Sequence, residues 1–346
     1  MRRFDYSFLK DKHLNDILRL SNLIADVNAK ELFRKELYGD VFDKLQEKAM
    51  IDSVIASNSI EGIGTSEERI HEIFKGSKAI THDEMEILGY KEALNYIHTK
   101  NDIEVDERTI KYLHYLIEKG VDPGNAGQYK SGNNYIMEYH SDGTRKIRFT
   151  PVDHKEVPNA VEQLLLAYYD ARQDDRISQL LLSFCFVLDF TCIHPFKDGN
   201  GRVSRLLTLL LLYKAGYDIG KYVSIENQIN DFKDQYYAAL NKSSVGWHNN
   251  ENDYSYFIIF MLQILYRCYL SLNDSLGELT LKKAKKKDRI KSVVESSLVP
   301  ISKMQIKEML PDISVRTIEA QLKSLVDSGD IIKIGTYKDA RYISKK

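Results

Sequence analysis

Ile193-His194-Pro195-Phe196-Lys197-Asp198-Gly199-Asn200-Gly201-Arg202-Val203-Ser204-Arg205 lies between two apolar helical stretches of a 346-residue chain. It gathers an imidazole, a carboxylate, an asparagine between two glycines, and two guanidiniums. Gly199-Asn200-Gly201 immediately precedes and starts a helix. There, bare backbone N–H groups can approach an anion and the helix dipole favours negative charge. Arg202 and Arg205 are three apart and are expected to project from one face of that helix, an arrangement suited to a polyphosphate. Asp198 is placed to hold Mg2+ against such a ligand. His194, with an ordinary pKa near ~6.5, can accept a proton at cellular pH. Competing motifs fail. There is no G-x-x-x-x-G-K-[ST], no third glycine of a dinucleotide fingerprint, no H-E-x-x-H and no Cys/His zinc spacing, and Phe196 stands where an EF-hand needs an oxygen donor. Any one of these residues alone reads as part of a polar interhelical turn. The set reads as a magnesium–nucleotide site with a general base, hence phosphoryl or nucleotidyl transfer.

The surroundings of this stretch are helical. With 6 prolines and 18 glycines, most of the chain carries apolar residues at helical period. The pattern predicts helices over 22–55, 82–99 behind a Thr81–Glu84 capping box, 107–119 behind Asp106, 153–171, 175–191, 200–215, 227–243 and 253–272. One stretch breaks it. Asn134–His140 and Lys146–Thr150 read as two short strands around an Asp142-Gly143 turn. Such a hairpin is either decoration or a flap with an edge free to pair. Cys185, Cys192 and Cys268 form no C-x-x-C and are expected as buried free thiols in a reducing compartment. MRRFDYSFLKDK has basic residues but no apolar stretch behind them, and no unbroken apolar run approaches the roughly 18 residues of a membrane span. A cytoplasmic protein without a membrane partner is expected.

Charge separates two parts. The chain holds 49 Lys+Arg against 50 Asp+Glu, a net of −1, which excludes a uniformly basic nucleic-acid coat. From Lys282 to Lys346 there are 16 basic and 8 acidic residues, a net of +8, so the remainder stands at −9. That tail reads as three short helices (288–296, 302–310, 315–328) and a hairpin (331–334, 340–344), the order of a winged helix-turn-helix. Arg316, Thr317, Gln321 and Lys323 would lie on its groove-reading helix. DNA contact and a purely protein-binding role are both left open.

His194–Arg205 matches H-P-F-x-[DE]-G-N-G-R-x-x-R at every defined position, and on those residues the chain resembles the Fic family. Ser57-Asn-Ser-Ile-Glu61-Gly62 resembles the family's inhibitory motif [ST]-x-x-x-E-[GN]. Gly127-Gln-Tyr-Lys130 with the following hairpin resembles its flap, and Tyr236-Tyr237-Ala-Ala-Leu240 its adenine-side helix. The resemblance covers roughly residues 20–270. It implies a mainly α fold: a Fic-type helical bundle with a β-hairpin flap, followed by the winged helix-turn-helix. It divides the chain into an N-terminal helical region with the inhibitory helix (1–100), a catalytic core (101–275) and a winged-helix-like domain (282–346).

The implied activity is transfer of AMP from Mg-ATP to a Tyr, Thr or Ser hydroxyl of a target protein or of the chain itself, releasing pyrophosphate. By the resemblance, His194 would deprotonate that hydroxyl and Asp198 would hold Mg2+. ATP would be bound by Asp198, Gly199, Asn200, Gly201, Arg202, Val203, Ser204 and Arg205. Arg202 would take the β-phosphate region and Arg205 the γ-phosphate, with Tyr236 and Leu240 bordering the adenine. The flap residues Asn134, Tyr135, Ile136 and Met137 would pair with the target, and a homodimer is consistent with the family. Glu61, at i+4 from Ser57 and before the helix-stopping Gly62, sits where a helix C-terminus disfavours negative charge. The resemblance supplies a cationic partner, Arg205, in a bidentate pair that would keep ATP misaligned. Three alternatives stand beside this reading: transfer of a different phosphate-containing group, removal of AMP, and a DNA-binding regulator that senses nucleotide.

Overall fold

The structure, a computed structural model, describes residues 15–37, 39–100, 102–139, 144–280, 286–297, 299–336 and 340–345. These fall into two compact units. One holds the described residues up to Ile24 together with Gln46–Cys268; the other holds Ala25–Leu45 and the described residues from Tyr269 onward. The expected boundary near Leu281 lies outside the described residues.

The described elements are mainly helical, as expected: α1 (Asn15–Leu37), α2 (Gly39–Ile60), α3 (Glu67–Phe74), α4 (His82–Thr99), α5 (Glu107–Glu118), β1 (Ile136–Tyr139), β2 (Arg145–Phe149), α6 (Val157–Arg172), α7 (Gln179–Ile193), α8 (Asn200–Lys214), α9 (Ile225–Asp231), α10 (Lys233–Ser244) and α11 (Ser255–Thr280). Caps set several starts. Thr81 and Glu84 form the capping box of α4, Asp106 accepts from Thr109 N, and Ser178 accepts from Leu181 N. Helices α6 and α7 begin later than expected. Asp153 is engaged with Asn133 and Lys155 and does not cap α6, and α7 is capped by Ser178 rather than starting at Asp175. The helix expected over 227–243 is two, parted at Phe232, and the 22–55 pattern resolves into α1 and α2.

Helix α7 is apolar all round, as a fully enclosed helix must be. Phe184, Cys185, Phe186, Leu188 and Phe190 are buried on it. It packs between α6 and α8, while α5 and α4 cover α8. The α4–α5 approach needs Gly89, where a Cβ would lie 2.5 Å from the Ile117 carbonyl oxygen. All three cysteines are buried thiols outside any disulfide. Ser255–Leu276 of α11 is long and apolar enough to cross a membrane by length and composition, and 56% of that stretch is buried within the protein. The hairpin pairs antiparallel with Met137 opposite Ile147. Residues 141–143, with the expected Asp-Gly turn, lie outside the described residues.

In the second unit, α12 (Lys286–Ser296), α13 (Lys303–Met309) and α14 (Val315–Asp327) enclose Ile290, Val294, Ile306, Ile318, Leu322 and Leu325. A three-stranded sheet of order β3-β5-β4 joins them, with β3 at Ile301–Ser302, β4 at Ile331–Ile334 and β5 at Arg341–Ser344. This order is compatible with the expected winged helix-turn-helix. The exposed face of α14 carries Arg316, Glu319, Lys323 and Asp327, with Glu319 paired to Lys303. Charges of both signs there offer a phosphate backbone little net attraction.

Candidate active site

The turn from α7 to α8 is built on two left-handed residues, His194 at φ 51° and Gly199 at φ 72°. His194 places Nδ1 3.3 Å from the Thr191 carbonyl oxygen, which can only accept, so Nδ1 carries the hydrogen and Nε2 keeps its lone pair. Burial, reinforced by the Lys130 ammonium, pushes the His194 pKa down to about 4. The Phe196 side chain is fully buried, and the Asn200 amide closes the turn over it, accepting from Phe196 N and donating to Phe196 O, both at 2.9 Å. The Asn200 side chain is therefore spent on the loop, leaving its backbone to face a ligand. Gly199 N donates to Asp198 Oδ1 at 2.6 Å, and Asp198 is exposed.

Arg205 reaches from α8 to the end of α2. Its Nη2 donates to Glu61 Oε1 at 2.8 Å and to the Ser57 carbonyl at 2.9 Å, and its Nε donates to Ser57 Oγ at 2.8 Å. The expected bidentate pair is thus corrected. Glu61 takes one bond and Ser57 takes two, because the Arg205 fork lies across the last turn of α2. Burial pushes the Glu61 carboxyl up, but the Arg205 charge and hydrogen bond, helped by Arg202 and Lys233, outweigh it and hold the pKa below its ordinary range. Gly62 turns left-handed at φ 80°, and Gly62 N and Ile63 N donate to Ser59 O and Asn58 O, ending the helix as expected. Upstream, Ser53 Oγ donates to Glu226 Oε2 at 2.8 Å and Tyr90 OH to Glu226 Oε1 at 3.0 Å, fixing this part of α2. The Glu61 carboxylate lies directly over Gly201, where a Cβ would collide with Oε1.

A cavity of about 630 Å³ opens at this point. Among the expected residues it brings together His194, Asn200, Gly201, Ser204, Arg205, Glu61, Tyr236, Leu240, Ile136 and Met137. It does not bring Asp198, Gly199 or Arg202; Arg202 is 1% exposed with Nη2 on Glu118 Oε1 at 2.9 Å and on Glu86 Oε1 at 3.2 Å. The expectation that both arginines serve one ligand is corrected: a buried guanidinium is held by counter-charges, and two carboxylates claim Arg202. Val203 lies in the core, Tyr135 is 53% exposed, and Asn134 Nδ2 donates to Phe196 O at 3.1 Å. Thr191, Arg148, Asp234, Tyr237, Ala238 and Asn241 also line the cavity. Of these, Asp234, Tyr237, Ala238 and Asn241 share one face of α10 at i, i+3, i+4 and i+7, a signal present in the sequence. Lys130, the last residue of the flap-like Gly127–Lys130 stretch, is buried with its pKa pushed down to about 8 and donates to Asn134. His114, which had no such signal, stacks on Phe196. A magnesium ion fits Asp198, an exposed hard oxygen donor with Oδ1 on a neighbouring amide.

Residues 104–212 match the Fic/DOC family. The chain is 28% identical over 182 residues to protein adenylyltransferase Fic of Aedes aegypti, covering 50% of this chain and 34% of that protein. It is 25% identical over 211 residues to the protein of the same name from Nematostella vectensis, covering 58% and 44%. The match therefore spans well under two thirds of these relatives. A Fic family protein from Desulfovibrio desulfuricans has a similar fold, with TM-score 0.62 and 19% identity over 96% of this chain and 97% of that one. A Fic domain containing signaling protein from Bacteroides thetaiotaomicron gives TM-score 0.61 and 19% identity over 78% and 100%. The signature loop His194–Arg205 lies inside residues 104–212, the segment of this chain that matches the Fic/DOC family.

Proposed function

We propose that this chain is a protein adenylyltransferase held in check by its own α2. The observation that carries the proposal is the Glu61–Arg205 contact at the cavity that also holds His194 and the Gly201 turn. In the reaction, His194 Nε2 takes the proton of a target hydroxyl. The hydroxyl oxygen bonds to the α-phosphorus of ATP, and the bond from that phosphorus to the bridging oxygen breaks, releasing pyrophosphate. Backbone N–H groups at the start of α8 face the oxygen on which charge develops, a kind of contact often worth a few kcal/mol. Asp198 would hold a magnesium ion, which would supply neutralisation of phosphate charge. Tyr236, Tyr237 and Leu240 offer the base an apolar wall. The flap residues Ile136 and Met137 border the place where a target strand would pair.

Glu61 occupies both the guanidinium that a terminal phosphate would take and the space above Gly201. Nucleotide is then bound out of line, and a displacement of about 1 Å can cost on the order of 10²-fold in rate. Glu61→Gly is expected to raise transfer from labelled ATP by roughly that factor, with the mass increment of AMP on the acceptor. Equal activity of the two forms would sink the brake, and a different mass increment would sink AMP as the transferred group.

A further inference from the structure

His114, on α5, touches three pieces of the site at once. It is 2% exposed. Its ring lies on that of Phe196 with centroids 3.8 Å apart and planes 2° apart. Gly127 N donates to His114 Nδ1 at 2.9 Å, so Nδ1 must hold a lone pair. Nε2 therefore carries the hydrogen and donates to the Asp198 carbonyl oxygen at 3.2 Å. Gly127 sits at φ 74°, at the root of the flap, against the backbone of α5. One imidazole in one tautomer thus ties the flap root, the Phe196 ring and the Asp198–Gly199 peptide.

The consequence follows from peptide planarity. In a trans peptide the C=O and N–H point in opposite directions. Holding the Asp198 carbonyl toward His114 turns the Gly199 N–H the other way. That N–H is now capped by the Asp198 carboxylate at 2.6 Å, so it is a donor aimed at a negative group.

We propose that His114 is a positioning residue that orients the Asp198–Gly199 peptide, so that Gly199 N–H and the Asp198 carboxylate are presented to the phosphates of the nucleotide. This rests on the transfer function proposed above. The residue acts through the loop and touches no reacting atom. The donor on Nε2 is the working half; the acceptor on Nδ1 only anchors the ring.

The test uses the full chain carrying Glu61→Gly. His114→Gln keeps a donor near the position of Nε2, whereas His114→Asn keeps an acceptor near the position of Nδ1; both lose the ring. The Gln form is expected to transfer within about threefold of its parent. The Asn form should lose about 10- to 100-fold in kcat with the KM for ATP changed by less than about threefold, the pattern of a donor that acts in the transition state. Equal losses in the two variants, losses that track melting temperature, or an Asn form as fast as its parent would overturn the proposal. Imidazole 15N spectra of the nucleotide-free chain give a readout independent of turnover, and a hydrogen on Nδ1 of His114 would also overturn it. If Glu61→Gly transfers to no protein, the functional reading fails by itself. His114 is then judged by those spectra and by binding of inorganic pyrophosphate, expected weaker in the Asn form than in the Gln form.

Discussion

A general base must hold its lone pair at the pH where it works, and His194 does so by local means. Its Nδ1 hydrogen faces Thr191 O, and burial with the nearby Lys130 charge depresses its pKa to about 4. Glu61 opposes that depression, so Glu61→Gly lowers the pKa further. In the Glu61→Gly chain, with magnesium saturating, kcat/KM for ATP at pH 5.5 should therefore lie within about twofold of its value at pH 7.5. A histidine of ordinary pKa would lose about tenfold over that interval, and such a loss would refute the assignment. At this scale the contiguous residues were readable: His194, Gly201 and Arg205 meet at one cavity, as their spacing suggested. Arg202 was not, because its partners Glu86 and Glu118 lie 116 and 84 positions away and no local pattern announces a buried ion pair. His114 was missed for the same reason, since its partners are backbone atoms of other segments.

Helix α8 begins where an anion can approach, and its glycines have separate duties. Gly199 needs its left-handed backbone, and a Cβ there would lie 2.7 Å from Glu118 Oε1. Gly201 is helical, and the nearest obstacle to a Cβ is the Glu61 carboxylate itself. Once Glu61 is removed, the nearest remaining atom to that Cβ is Arg205 Nη1 at 3.3 Å, the end of a long side chain that can shift by a few tenths of an ångström, and alanine improves helix propensity. The methyl would nevertheless stand in the path of a phosphate approaching the helix start. In the Glu61→Gly chain, Gly201→Ala should cut transfer by about 10²-fold or more with the melting temperature unchanged or raised. An alanine form as active as its parent would show that phosphate does not approach α8 there. Elements whose starts depend on a local side chain, such as α4 behind Thr81 and α5 behind Asp106, were legible in sequence. Strand β3 is two residues long, Ile301–Ser302, and exists only through pairing with β5, so no period could reveal it. The parting of α9 from α10 at Phe232 likewise interrupts a pattern that stays helical on both sides.

Over the whole molecule, titration separates the two compact units. Among the described residues every histidine lies in the first unit, and burial pushes His98, His114 and His194 each down to about 4. A histidine that is neutral when folded and ordinary when unfolded lets the unfolded chain bind more protons below pH ~6.5, so stability falls with pH through that window. Each of the three should cost about 1–2 kcal/mol between pH 7 and pH 5. Glu84, held down to about 2 by Arg69, yields its contribution only below its ordinary range and does not act in this window. The second unit is held by an apolar core and by pairs such as Arg289–Asp312, with no histidine among its described residues. Trp247 is the chain's single tryptophan, fully buried against Asp189 in the first unit. Its fluorescence melting midpoint should fall by on the order of 10 °C from pH 7 to pH 5. Amide exchange in peptides covering 286–336, corrected for intrinsic rate, should keep its protection over the same interval. A Trp247 midpoint unmoved by acid, or equal loss of protection in those peptides, would show that the buried histidines do not set the acid stability of the catalytic part.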